Sequence, residues 1–227
     1  MNFDDVLNIY HQRRKIETGY RFIGELFKEI KQQYLAETTA EDKNQSWNSW
    51  SGKTFQKLIE YSIKEFVETC GYPVAVTSDS VLRRNQLSPS LEIVKRNILV
   101  FYADFALVPD ADVVLYDKNS GKIISILSCK ASLRERIAQA AYWKIKLSSF
   151  HTTQNILCYL ISTDNDKDFI RDGKDSSRNR IIVEHGELDG AYIFREIPES
   201  GNVKQFDKIF PDLTLIFEGW FNNQQDS

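Results

Sequence analysis

The stretch from Pro109 to Gln139, PDADVVLYDKNSGKIISILSCKASLRERIAQ, decides how this chain is read. Two apolar runs, Ala111 to Tyr116 and Lys122 to Lys130, flank Asp117-Lys118-Asn119-Ser120-Gly121. Asp, Asn, Ser and Gly favour turns, so the two runs predict an antiparallel hairpin. Pairing about that turn sets Asp112 opposite Ser128 and Asp110 opposite Lys130, give or take one residue. Strand side chains alternate, so Asp110, Asp112, Ser128 and Lys130 can share one face at one end of the hairpin. Cys129 points to the opposite face and reads as core packing, with no histidine near it in sequence to form a Cys–His pair. Val113 to Leu115 and Ile123 to Leu127 are apolar on both faces, as buried central strands are. Partly buried carboxylates this close repel one another unless a cation lies between them. A divalent metal would satisfy them, and with a lysine alongside, the set suits phosphodiester hydrolysis.

Working outward, Val6, Ile9, Tyr10, Phe22, Ile23, Leu26, Phe27, Ile30 and Tyr34 fall at helical spacing, interrupted near Thr18-Gly19. The polar stretch 36–52, with Trp47 and Trp50, reads as a loop. Gly52-Lys53-Thr54 resembles the end of a phosphate-binding loop, but Trp47 stands where that pattern needs its first glycine, so the reading is rejected. A helix from about Lys53 to Cys70, stopped by Gly71, buries Phe55, Leu58, Ile59, Ser62, Ile63 and Phe66. Val74 to Thr77, Ile98 to Val108 and Ile156 to Ser162 read as further strands, and Leu133 to Leu147 as a helix. Ile181 to Glu184 and Tyr192 to Arg195 follow as short β-rich runs, with a helix or strand at Leu213 to Phe221. Asp164 to Arg180 is densely charged and reads as an exposed loop. The fold class is α/β (α+β), a mixed central sheet flanked by helices. A helical segment over residues 1–40 precedes the main domain over 50–227.

Composition narrows the functional classes. The 227 residues carry 29 Lys+Arg against 32 Asp+Glu, a net charge of −3, which argues against a histone-like wrapper while leaving room for a local basic cleft. Hydrophobic residues at 42% supply a real core and exclude a disordered tail. Cys70, Cys129 and Cys158 and three scattered histidines form no zinc or disulfide spacing, which fits a reducing cytoplasm. No window is apolar enough for a membrane span.

Pro109-Asp110, with Ser128-Cys129-Lys130 on the following strand, resembles the PD-(D/E)xK nuclease signature. The run Ser128 to Leu147 is similar to the BsaWI-like, CCGG-cutting group of type II restriction endonucleases. The resemblance implies a restriction-endonuclease-like core and Mg²⁺-dependent hydrolysis of double-stranded DNA. It favours Asp110, which follows proline, as a metal ligand with Asp112, and it gives Lys130 the scissile phosphate and the attacking water. Ser128 departs from the signature, where an acid is usual; in several enzymes of the group the missing acid comes from a helix. Residues 137–150 contain no Asp or Glu, so Glu60 on the preceding helix is the expected third ligand, with Glu65 the alternative. Gln139 would orient water or phosphate. Arg134-Glu135-Arg136 resembles the reader of adjacent C:G pairs: arginine matches guanine O6/N7, and a carboxylate accepts from cytosine N4.

A palindromic site implies a homodimer, for which the apolar face of the helices before residue 40 is one candidate surface. The resemblance also implies a cognate DNA methyltransferase in the same system, without direct contact. Of the basic clusters at 11–15, 83–84, 95–96 and 171–180, one or two are expected to line the DNA cleft. Two other readings stay open at this point. One is another PD-(D/E)xK nuclease of repair or mobile elements; the other is a non-catalytic DNA-binding protein on a decayed nuclease fold.

Overall fold

Asp117 makes the hairpin turn. Its carboxylate accepts from Asn119 N at 2.9 Å and Ser120 Oγ at 2.5 Å, and its carbonyl accepts from Gly121 N at 2.8 Å. Gly121 has φ +69°, and a Cβ there would come within 2.7 Å of Ile93, so the turn takes glycine for both conformation and space. The computed structural model describes residues 1–133, 136–172 and 175–223.

The chain opens with α1 (Phe3–Arg14), α2 (Phe22–Glu37), α3 (Lys43–Thr69), β1 (Val74–Thr77), α4 (Asp79–Leu82) and α5 (Pro89–Arg96). A small hairpin of β2 (Val100–Tyr102) and β3 (Phe105–Leu107) precedes the central hairpin, β4 (Val113–Asp117) and β5 (Ile123–Lys130). Next come α6 (Arg136–Ser148), β6 (Leu157–Ser162), the two-residue strands β7 (Arg171–Asp172) and β8 (Asp175–Ser176), and α7 (Arg178–His185). The chain ends with β9 (Gly190–Ile193), β10 (Val203–Gln205) and α8 (Ile209–Asn222).

Among the described residues a six-stranded mixed sheet runs β1-β4-β5-β6-β9-β10. β1, β4 and β5 pair antiparallel, and β5, β6, β9 and β10 pair parallel. Alternation divides the core into two layers. Val113, Leu115, Leu127 and Cys129 pack with Val6, Phe27, Phe55, Leu58 and Leu213 of α1, α2, α3 and α8. Val114, Ile126, Cys158 and Leu160 face Val94, Ile137, Ala140 and Val183 of α5, α6 and α7. Among the described residues no helix is long and apolar enough to cross a membrane.

Several expectations are corrected. The polar stretch before Lys53 is not a loop, because α3 starts at Lys43, where the Asp42 side chain caps Gln45 N at 2.9 Å. Gly52 costs about 1 kcal/mol against alanine. Burial of Trp47, Ser51, Thr54 and Phe55 along one face offsets that cost. The run at Ile98 to Val108 is two short strands, turning at Ala103 with φ +49°. Ile181 to Glu184 belongs to the helix α7: Asn179, Arg180 and Val183 are buried at helical spacing, and Arg180 pairs with Glu184 at 2.9 Å. The charged stretch 164–180 is not wholly exposed. Asp164, Phe169 and Arg180 are buried, and the Asp164 carboxylate caps the Asp168 and Phe169 amides and pairs with Arg195. The apolar residues of α1 and α2 are spent inside the chain, with Val6, Tyr10, Ile23, Leu26 and Ile30 fully buried. A partner chain would meet other residues of these helices.

Candidate active site

Register places the chemistry. Val113 lies opposite Leu127, which continues to Asp112 opposite Ser128 at the end of the hairpin, after a one-residue register shift between Leu115 and Tyr116. Because β4 enters where β5 leaves, Asp112 and Lys130 meet at the carboxyl ends of β5 and β6, beside the start of α6. In open α/β sheets this is the end that takes ligands. Lys130 Nζ lies 2.9 Å from Asp112 Oδ2, and the same oxygen accepts from Cys129 N at 2.7 Å. Both side chains are largely buried, at 14% and 19% exposure, so the pair is held in place and not solvated. Asp112 Oδ1 accepts no hydrogen bond among the described residues, and neither does the Ser128 hydroxyl donate one. From below, Gln56 of α3 donates to the Asp112 carbonyl at 3.4 Å.

Asp110 has a different environment. Arg83 Nη2 donates to its Oδ1 at 2.5 Å, while Gln139 Nε2 at 2.6 Å and Trp143 Nε1 at 3.3 Å donate to its Oδ2. Burial pushes this carboxyl upward, but the hydrogen bonds from Arg83, Trp143 and Gln139 outweigh it and hold the group below the usual carboxylate range. Lys130 therefore belongs to Asp112, whereas proline placement favours Asp110. Arg83 also reaches Asp79 at 3.1 Å. Burial raises the proton affinity of Asp79; Arg83 opposes that rise, and Asp112 and Asp110 add to it, which marks a third aspartate beside the two expected.

Glu60 lies on the other side of β5. Burial raises its proton affinity, against the pull of Lys64 and Lys57, and it has no hydrogen-bond partner among the described residues. The fully buried Cys129 thiol is pushed well up by burial, then by Asp112, with Glu60 adding and Lys130 opposing, so these groups surround one strand end. Such a thiol is core, not nucleophile. Glu65, the alternative, is engaged elsewhere: it accepts from Arg14 Nε at 2.6 Å and Tyr20 Oη at 3.4 Å. Among the described residues, no three His, Cys, Asp or Glu side chains converge closely enough to enclose a metal alone. The expected trio of Asp110, Asp112 and Glu60 is thus not a preformed cage. Asp112 Oδ1 and the Glu60 carboxylate, on opposite sides of β5, each accept no hydrogen bond among the described residues, and carboxylate oxygens are the donor type that suits a hard divalent cation.

Of the expected reader, Arg134 and Glu135 lie outside the described residues. Arg136 is exposed at the start of α6 and borders a cleft of about 410 Å³ with Lys31, Asn48, Ser132 and Asn165. Just after β5, Ser132 Oγ donates to Asp166 at 2.6 Å and Thr163 Oγ1 donates to the Ala131 carbonyl at 2.7 Å. Within the basic clusters, Arg13 and Arg14 pair with Glu17, Glu25, Glu29 and Glu65 and Arg180 is buried, while Arg171 and Arg178 are exposed and Lys174 lies outside the described residues. Asp79 and Trp143 carry no site signal in the sequence, and Arg83 stands out only as part of one of four basic clusters. The usable signal was the β1–β4 pairing, Thr77 opposite Val114, which carries Asp79 to the same sheet end.

The core of a strand hairpin, a preceding helix and a crossover helix, with an aspartate–lysine pair at one sheet end, defines the restriction-endonuclease class of nucleases. The BsaWI restriction endonuclease type 2 family model matches residues 90–213, spanning the hairpin, α6 and most of the sheet. A protein of Methanocaldococcus jannaschii named as the type II restriction enzyme MjaVIP is 36% identical, over 82% of this chain and 84% of its own. A Helicobacter pylori protein named as the type II restriction enzyme HpyAORF263P is 34% identical, over 60% of this chain and 70% of its own. The chain belongs to the BsaWI family of type II restriction endonucleases, which as a class are site-specific deoxyribonucleases. In fold it is similar to restriction endonuclease AgeI, solved as a DNA complex. The TM-score is 0.55 at 17% identity, covering 82% of this chain and 74% of that one.

Proposed function

We propose that this enzyme hydrolyses double-stranded DNA at a short palindromic site containing CC/GG steps, using Mg²⁺ and acting as a homodimer in the cytoplasm. A cognate methyltransferase protects the host's own sites without contacting the nuclease. The observation that carries the reading is the 2.9 Å Lys130–Asp112 pair at the end of the β4–β5 hairpin. Asp112 would hold the cation through its open Oδ1, Glu60 would supply the second carboxylate, and water and a DNA phosphate would complete the shell. A bound divalent cation neutralises phosphate charge and makes water a competent nucleophile near neutral pH. Lys130, oriented by Asp112, would place its ammonium against the scissile phosphate and stabilise the charge that develops there. The Ser128 hydroxyl, which has no hydrogen-bond partner among the described residues, would hold water or phosphate beside that lysine.

Arg134-Glu135-Arg136 supports the CC/GG reading, since each arginine–guanine or carboxylate–cytosine pair contributes roughly 1–3 kcal/mol of discrimination. Arg134 comes four residues after Lys130, so reader and cutter share one segment. The test is digestion of phage DNA followed by sequencing of the ends. Discrete fragments with CC/GG at every end support the proposal. Random nicking would turn it toward a repair or mobile-element nuclease, and ends without C:G steps would remove the assignment of the reader. Glu135→Ala should relax the site while leaving the protein folded.

A further inference from the structure

We propose that Asp110 is a positioning residue, the clamp that fixes the reader helix α6 to the catalytic strand pair, and not a metal ligand. The inference rests on the nuclease reading above and divides the labour of the two aspartates within it.

Both Asp110 oxygens are already taken. Oδ1 accepts from Arg83 Nη2, and Oδ2 accepts from Gln139 Nε2 and Trp143 Nε1. A carboxylate has about four acceptor positions, and here three are filled, one by a guanidinium that repels an approaching cation. The donors come from two elements outside the hairpin. Arg83, just past α4, also donates to the Val108 carbonyl at 3.1 Å and pairs with Asp79 at 3.1 Å, so it is itself held at three points. Gln139 and Trp143 stand four residues apart on one face of α6, so their shared grip on Asp110 sets the rotation of that helix. Gln139 lies one turn beyond Arg136, the exposed end of the reader. Two residues after Asp110 comes Asp112, which holds Lys130. A shift of α6 on meeting the wrong bases is thereby transmitted through Asp110 to the strand that carries Asp112. Such coupling makes cleavage sensitive to sub-ångström changes in the reader.

The experiment compares wild type with Asp110→Asn, Arg83→Ala, Gln139→Ala and the Asp110→Asn/Gln139→Ala double variant. Binding is measured in EDTA to a duplex selected by wild-type binding from a random pool and to a scrambled duplex. Cleavage of the selected duplex is then followed across a Mg²⁺ titration. The clamp predicts that each single variant loses about ten-fold or more of the selected-over-scrambled binding ratio, the scale of one bidentate base contact. The double variant should lose no more than the worse single, because the residues act as one unit. The Mg²⁺ midpoint should move less than about two-fold, where loss of a ligand would move it far more.

An intact binding ratio in Asp110→Asn, with the Mg²⁺ midpoint raised ten-fold or cleavage lost, would make Asp110 a metal ligand and overturn the clamp. Unchanged ratios in all variants, or additive losses in the double, would overturn it as well. Should Asp110→Asn fail to fold, the exposed Gln139→Ala carries the same prediction. A wild type that selects a duplex but never cuts would sink the nuclease reading while the binding arm still decides the clamp. A wild type that selects nothing would sink the clamp.

Discussion

Lys130 is paired with Asp112 at 2.9 Å, while Asp110, two residues earlier, is held by Arg83, Gln139 and Trp143. The two aspartates of one short motif therefore face different partners, and removing each should have different consequences. Asp112→Asn and Lys130→Ala should each lower the cleavage rate at saturating DNA by at least about 10²–10³-fold, as loss of a preorganised charge in a site does. Lys130→Ala should also cost about 1–3 kcal/mol of stability, because it leaves the largely buried Asp112 Oδ2 without its ammonium. Single-turnover kinetics and urea unfolding measure the two effects separately.

Glu60 gives the pH dependence a definite sign. Burial raises its folded pKa above the ordinary glutamate value, so its ionised form is disfavoured in the fold. The ionised carboxylate opposes folding at neutral pH; that cost fades as pH falls through the raised pKa and is gone below the unfolded value. Glu60→Gln should thus leave the metal-free protein as stable as wild type or more so by a few degrees of Tm. The same substitution should weaken the Mg²⁺ midpoint by about 10-fold or more. In wild type that midpoint should worsen as pH drops through a window above the usual glutamate range, and Glu60→Gln should flatten the profile. A metal-free Tm several degrees lower in Glu60→Gln would contradict this account.

The cysteines report on the core. Burial pushes the Cys158 thiol up to about 12 and Cys129 well up too, whereas Cys70 at the end of α3 is partly exposed. Native protein should react with a thiol-specific disulfide reagent at Cys70 alone, and at all three cysteines after denaturation. Rapid labelling of Cys129 in the native state would mean that the end of β5 is open, not packed.

Phe55 tests whether α3 is one continuous buttress. It is fully buried and meets Phe27 at 5.1 Å and Phe194 at 5.2 Å between ring centres. Phe55→Ala should cost about 3–5 kcal/mol by chemical denaturation, through lost transfer energy and the cavity left behind. A cost under about 1 kcal/mol would show that α2 and α3 do not close over the sheet as described.

What the sequence made legible was local. Turn residues 117–121, with alternating neighbours, sufficed for the hairpin and placed Asp112 within one residue of Ser128, while the register shift between Leu115 and Tyr116 fixes the final pairing. The helix at 43–52 was hidden by its polar composition and Gly52, although Asp42 and Gln45 carry the spacing of a helix cap. The helix α5 likewise had its own signal, Ser88 as cap with Pro89 at the first turn. Asp79 and Arg83 join the site only through the β1–β4 pairing, and long-range pairing is not written in any short window. Helix α7 was concealed because a run of three apolar residues, Ile181 to Val183, fits a strand or a buried helix equally well. Proline placement pointed to Asp110, but the side chains beside each aspartate differ, and those of Asp110 come from two elements outside the hairpin, the end of α4 and α6.

The most direct test of the central claim is a digest of phage DNA by purified wild type, Asp112→Asn and Lys130→Ala, each with Mg²⁺ and with EDTA. The account predicts discrete fragments from wild type with Mg²⁺ alone, and none from either variant or from any protein in EDTA. Discrete fragments from Lys130→Ala at the wild-type rate, or from wild type in EDTA, would contradict it.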